Sequence, residues 1–331
     1  GKLMKCPTYI HEQNAYPGLA NRFLERAVNN IFLGFDDARE FFKMPEKLID
    51  AGNPVRKSFF TITKKEARER LGIPQDDFVV FTFGGSIGSM QINEIAFELL
   101  EIFNGHEGVS MIVGTGKWMH KKAMELLETK NIEVKENIRV KSYIDNMDLH
   151  LLACDLVICR SGALSVAETT VCGKAAIFVP FPEATGNHQY YNAKAVADKG
   201  GAILIEEKNL VLEDVVKEVL SLKNNPDKLK AMSMALFTPK QKPECFALII
   251  STFFSLFKIK FFFNKFWAAK VPFDLPLCLG GIDENGNEVT NELTYLLVET
   301  YNELDIHSPK IHIRVSDKTP EDFVKLVLKC I

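Results

Sequence analysis

The sequence predicts an α/β protein built on a parallel sheet covered on both faces, and three observations predict it. Between about residues 52 and 205, short β-rich apolar runs alternate with stretches whose apolar residues recur at helical spacing. The runs are almost continuously hydrophobic, the pattern of strands buried on both sides. Several end in glycine-containing turns just ahead of a helix, and open α/β sheets keep their ligand crevice beyond those strand ends.

Taken in order, residues 21–30 read as a short helix and 31–35 as a strand, the tail of an α/β unit that begins further upstream. Phe78-Val79-Val80-Phe81-Thr82-Phe83 is the next strand and runs into Gly84-Gly85-Ser86-Ile87-Gly88. The helix after it carries Ile92, Ile95, Ala96, Leu99, Leu100 and Phe103 on one face. Ser110-Met111-Ile112-Val113 is a strand ending in Gly114-Thr115-Gly116. Asp155-Leu156-Val157-Ile158-Cys159 leads into Arg160-Ser161-Gly162, with a helix over 163–172 and a further strand over 175–179.

The texture then changes. Nine of the 25 phenylalanines fall within residues 246–273, yet the longest uncharged stretch there is the 13 residues 245–257. That is short of the roughly 18–20 needed to span a bilayer. Lys258, Lys260 and Lys265 leave no clean amphipathic face, so an interfacial anchor and a non-native junction both stay open. Beyond it, a polar turn over 280–287, a helix over 292–304, a strand over 311–315 and a capped helix from Thr319 suggest a separate α/β piece.

Composition bounds the function. At 331 residues, two domains are expected on a prior of about 150 residues each. Hydrophobic residues are 47% and charged ones 25%, which excludes wholesale disorder and a polytopic membrane protein. The net charge is −3, from 40 basic and 43 acidic side chains, so no basic excess favours nucleic acid as a partner. Seven cysteines (Cys6, Cys154, Cys159, Cys172, Cys245, Cys278, Cys330) are odd in number and lack CxxC spacing. They read as reduced thiols of a cytoplasmic protein, not as a disulfide framework or zinc site. The chain starts at Gly1 with no signal-peptide core, and a fragment is expected. No HExxH, EF-hand loop, GxSxG elbow or Walker lysine is present, and neither a metal nor a cofactor is expected.

Five segments could carry chemistry. The turn with Gly84, Gly85 and Ser86 would suit a diphosphate at a helix N-terminus, or serve as a tight packing turn. Ser161-Gly162-Ala163 repeats that geometry, and Glu168 about one turn later could accept a pair of vicinal ribose hydroxyls or merely complement the helix dipole. His188, Gln189 and Asn192 could fix sugar hydroxyls or cap a helix. Arg56, closing Gly52-Asn53-Pro54-Val55, could face a phosphate. His11-Glu12-Gln13-Asn14 sets four polar side chains in a row, either catalytic or structural.

These segments, with Pro17-Gly18-Leu19-Ala20-Asn21-Arg22 and Tyr143-Ile144, occur in an order that strongly resembles the MurG family of peptidoglycan N-acetylglucosaminyltransferases, over about residues 8–236. The resemblance implies a GT-B-type fold, with a remnant of the N-terminal acceptor domain at 1–50 and a Rossmann-like donor domain at 51–236. It implies transfer of N-acetylglucosamine from UDP-N-acetylglucosamine to lipid I, giving lipid II with inversion, by a peripheral protein on the inner face of the bacterial membrane. By position, Glu168 would bind the ribose, Ile144 the uracil, and Gly84, Gly85, Ser86 and Arg56 the diphosphate. Gln189, with His188 and Asn192, would grip the sugar, and Asn14, Ser161, Gly162 and Ala163 would line the donor site. The family's glycine-rich N-terminal loops and their histidine have no counterpart in this sequence, which leaves His11 and Glu12 as candidate bases. Impaired transfer is expected, with an inactive UDP-sugar-binding fragment or a non-functional chimera as the alternative.

Leu279-Gly280-Gly281-Ile282-Asp283, residues 289–296 and residues 309–315 are similar to an internal piece of the pyruvate formate-lyase-like glycyl radical enzymes. The resemblance covers about residues 275–331, with 237–274 as the junction. Neither that family's cysteine motif nor its radical loop is present, so no radical chemistry is expected.

Overall fold

The computed structural model describes residues 8–235 and, at the level of the backbone, residues 281–282 and 288–289. The last two pairs form a short antiparallel ladder, Gly281 opposite Val289 and Ile282 opposite Glu288. The Phe-rich junction, the helix expected over 292–304, the strand over 311–315, the final helix and Cys6, Cys245, Cys278 and Cys330 lie outside the described residues.

Six strands form one all-parallel sheet: β4 (Phe78–Phe83), β5 (Val109–Gly114), β6 (Ile138–Lys141), β7 (Leu156–Cys159), β8 (Ala175–Phe178) and β9 (Ala202–Leu204). Their spatial order is β6-β5-β4-β7-β8-β9. The chain thus builds outward from β4 in one direction, then returns to β4's other side, and the crevice of such a sheet opens between β4 and β7.

Both faces are covered, as the apolar runs require. Val80, Met111, Val113, Leu156, Ile158 and Ile177 point to one face. There they meet α4 (Met90–Phe103), α5 (His120–Thr129), α9 (Leu212–Asn224) and α10 (Pro226–Ala235). Phe81, Phe83, Val157, Cys159 and Phe178 point to the other. That face is covered by α2 (Ser58–Thr61), α3 (Lys64–Leu71), α6 (Met147–Ala153), α7 (Ala163–Val171) and α8 (His188–Ala197). Each fully buried side chain of this size contributes roughly 1.5–3 kcal/mol of transfer free energy.

Ahead of this sheet lies a second parallel one, β1 (Tyr9–Glu12), β2 (Asn30–Leu33) and β3 (Leu48–Asp50), with β2 in the middle. Two expectations are corrected here. The helix expected over 21–30 is α1 (Leu19–Leu24). Glu25 after it turns inward, is 5% exposed and accepts the Lys43 and Met44 amides, which ends the helix early. The strand expected over 31–35 ends at Leu33, and the Gly34 amide closes the parallel ladder by donating to the Glu12 carbonyl at 2.7 Å. Gly34 also packs against Asn53, whose Oδ1 would lie 2.4 Å from any Cβ there.

Candidate functional site

The loops beyond β4 and β5 interlock backbone to backbone. Gly88 has φ +97° and Gly116 φ +85°, and a Cβ on Gly116 would sit 2.1 Å from Gly88 Cα. Only glycine fits both demands. The Lys117 amide donates to the Ser86 carbonyl at 3.0 Å across the same junction. Ser86 is exposed and Gly84 half-buried. Ser89 caps α4, accepting the Ile92 amide, so the helix presents its positive end beside the glycine turn.

Arg160 joins this turn to the one beyond β7. It is 8% exposed. Nη1 donates to the Val179 and Pro180 carbonyls, and Nη2 donates to Ser89 Oγ at 2.8 Å and pairs with Glu207. With both terminal nitrogens held by fixed partners, the guanidinium acts as a strut. The sequence marks Arg160 only by its place at the end of a buried strand.

Gly162 and Ala163 open α7, and Glu168 stands further along it. Burial pushes the Glu168 carboxyl up to about 7; Arg56 draws it down and Asp148 pushes it further up. Arg56 follows β3, and its Nη1 stands 3.8 Å from Asp148 Oδ1. Glu168, Arg56 and Asp148 therefore form one electrostatic cluster, of which the sequence indicated the first two. Ile144 lies over the end of β5, its Cγ1 3.0 Å from where a Cβ on Gly114 would stand. Its neighbour Tyr143 takes the Lys117 ammonium over its ring at 4.2 Å.

A third group is tied by hydrogen bonds. Asn192, fully buried on α8, accepts the Ala15 amide at 2.8 Å. Its Nδ2 donates to Asn14 Oδ1 at 3.0 Å and to the Ser161 carbonyl at 3.1 Å. Ser161 Oγ donates to the Gln189 carbonyl, and Gln189 Oε1 accepts the Phe181 amide. His188 Nδ1 donates to the Thr185 carbonyl at 2.7 Å, which leaves Nε2 as the ring's acceptor. Tyr16 stacks on Tyr191 with ring centroids 4.6 Å apart. Asn14, Ser161, Gln189 and Asn192 thus meet in one cluster, and it clasps the three-stranded sheet to the six-stranded one.

The two candidate bases differ. Glu12 is 2% exposed, and its carboxylate accepts from Asn14 N, Asn14 Nδ2, Gly18 N and Asn21 Nδ2 at 2.8–3.2 Å. Four donors on one carboxylate hold the loop 13–18 and the start of α1 in shape. His11 Nε2 donates to the Gly52 carbonyl at 3.0 Å, and burial lowers its pKa while that bond and Glu12 oppose the shift. Its imidazole is neutral at pH 7 with Nδ1 as the basic atom. Among the described residues, no group of three or more His, Cys, Asp or Glu side chains is placed to hold a metal ion.

Residues 79–245 match the glycosyltransferase family 28 C-terminal domain, and residues 255–331 match the pyruvate formate lyase-like family. A relative from Acetivibrio thermocellus, a "UDP-N-acetylglucosamine--N-acetylmuramyl-(pentapeptide) pyrophosphoryl-undecaprenol N-acetylglucosamine transferase", is 37% identical over 231 residues, covering 70% of this chain and 62% of its own. A relative of the same description from Desulforudis audaxviator is 40% identical over 230 residues, covering 69% and 62%. Acinetobacter baumannii MurG superposes with a TM-score of 0.57 at 24% identity, over 76% of this chain and 68% of that one. A Neisseria meningitidis UDP-GlcNAc 2-epimerase bound to UDP-GlcNAc superposes with a TM-score of 0.55 at 16% identity, over 77% and 71%. The chain spans about three-fifths of the length of these curated relatives, 62% in each of the two above.

Proposed function

The chain belongs to glycosyltransferase family 28, whose C-terminal domain it carries, and from that premise we propose that its crevice binds UDP-N-acetylglucosamine as a glycosyl donor. The observation that carries this reading is that Arg56, 3.8 Å from Asp148 on α6, and Glu168, on the adjoining α7, come from separate elements into one charged cluster. Glu168 would accept the two ribose hydroxyls, a task for which a carboxylate has two oxygens and no donor to turn away. Ile144 would pack on the uracil. Arg56, Ser86 and the backbone of Gly84 and Gly85 would take the diphosphate, with the N-terminus of α4 behind them. Gly162 and Ala163 would lie beneath the nucleotide. His188 Nε2 and Gln189 would meet the sugar, while Asn14, Ser161 and Asn192 would keep that wall in place.

The acceptor in this reading is lipid I and the product lipid II, formed with inversion. The acceptor hydroxyl attacks the anomeric carbon opposite the diphosphate, and the bond to UDP breaks with its electron pair on the leaving phosphate. Arg56 and the helix end would stabilise that growing charge. The hydroxyl proton would pass to His11 Nδ1, with Glu12 holding the adjoining loop rather than receiving it. The chain would work at the inner face of the bacterial membrane as a peripheral protein. Among the described residues, no helix is long and apolar enough to cross a membrane.

A second reading, donor binding without transfer, is favoured by the four bonds that occupy Glu12. Calorimetric titration of UDP-N-acetylglucosamine separates the possibilities. Glu168→Ala is expected to weaken binding about tenfold or more, since losing such bonds costs roughly 1–3 kcal/mol. Binding indifferent to Glu168 would sink the assignment of the site. Donor binding with no lipid II formed from lipid I would select the second reading.

A further inference from the structure

Asp148 stands in the first turn of α6, and α6 packs against both α2, which Arg56 precedes, and α7, which bears Glu168. The aspartate therefore stands on the helix that adjoins both elements, in contact with Arg56 and near enough to Glu168 to act on its charge. Its side chain is 17% exposed, against 40% for Arg56, and the two stand 3.8 Å apart. Arg56 and Asp148 act on Glu168 with opposite sign, so one cation is shared between two carboxylates. A dianionic ligand seated on Arg56 would bring a third anionic group to that cation, and Asp148 would then oppose it at close range.

We propose that Asp148 is a positioning residue: it holds Arg56 as counter-ion in the empty crevice and yields it to the incoming diphosphate. The proposal rests on the donor-site reading above and adds a residue to it. With Asp148 in place, Arg56 is kept off Glu168, whose oxygens stay available to the ribose. The exchange costs diphosphate affinity, because the ligand must displace an anion already in contact with its cation. A neutral nucleoside does not meet that cost. Asp148 thereby sets how firmly the diphosphate product is retained after transfer.

The test is calorimetric titration of UDP and of uridine into the wild-type chain, Asp148→Asn, Arg56→Ala and the double variant, with Asp148→Ser as a second replacement. UDP is expected to bind about threefold more tightly to either Asp148 variant, the scale of a part-exposed ion pair. Uridine affinity is expected not to change, and the gain for UDP to be lost in the Arg56→Ala background. A general packing role for Asp148 would move uridine and UDP together and would overturn the proposal. So would unchanged or weaker UDP binding in the Asp148 variants, or an equal gain without Arg56. Failure of the wild-type chain to bind either UDP or uridine would instead overturn the donor-site reading, and this proposal with it.

Discussion

Glu168 shows how a single residue couples burial to ligand binding. Its carboxyl titrates at about 7 rather than at its ordinary 4.5, because burial penalises the charged form. Between those two values the folded chain holds a proton that the unfolded chain has released, so this group's contribution to stability falls as pH rises from 4.5 to 7. A carboxylate is also the better partner for two hydroxyl donors, so donor affinity should move the other way. UDP-N-acetylglucosamine is expected to bind more tightly at pH 8 than at pH 6, and Glu168→Gln to flatten that dependence. Titrations across that range check it; an affinity that falls with pH would contradict the assignment. Asp148, by contrast, carried no motif in the sequence. An acidic residue in a first helical turn ordinarily needs no more explanation than the helix dipole.

At the scale of elements, the buried Arg68 on α3 is the least expected feature. It is 1% exposed. Its Nε donates to the Ala153 carbonyl, Nη1 to the Pro74 and Gln75 carbonyls, and Nη2 to Asp155 Oδ2 at 2.8 Å. Asp155 Oδ2 also accepts the Val79 amide and the aspartate pairs with Lys64, so one network ties α3, the start of β4 and the entry to β7. Removing the arginine would leave several carbonyls without their donor and Asp155 with only Lys64 and the Val79 amide. Arg68→Ala is expected to cost about 3–5 kcal/mol in denaturant unfolding, and a loss below 1 kcal/mol would show that water replaces the guanidinium. The strands themselves were legible before the structure. Runs such as residues 78–83 and 155–159 leave a parallel, doubly covered sheet as the natural arrangement. Helix ends were less legible: α1 stops at Leu24 because Glu25 finds amides at residues 43 and 44, a contact far off in sequence.

Over the whole described region, the two sheets are held together by a small polar and aromatic clasp. Asn192 reaches across to Asn14 and Ala15, Tyr191 stacks on Tyr16, and Lys199 pairs with Asp37 at 3.4 Å. Such a contact is far smaller than the apolar layers within the six-stranded sheet, so it is the place where the molecule should open first. Asn192→Ala leaves the Ala15 amide without its buried acceptor. Hydrogen exchange at Ala15 is expected to accelerate, while amides of β4 and β5 keep their protection. Equal acceleration throughout would mean that the clasp and the core unfold as one unit.

The sequence by itself determined the alternation of strands and helices, the glycine turns at the strand ends and the identity of Arg56 and Glu168 as candidates, because periodicity and turn chemistry are local. It also marked the change of ancestry along the chain, which the two family matches reflect at residues 79–245 and 255–331. Only the tertiary structure decided which partners each polar side chain meets. The sequence left Glu12 open between a catalytic and a structural role and Asn192 between a sugar contact and a helix cap, and in the fold both are engaged by partners from other segments. Arg160, Arg68 and Asp148 had no role assigned from the sequence, and each is fixed by partners beyond its own helix or strand. A buried polar group must find its hydrogen bonds wherever the fold places them, and no local pattern records where that is.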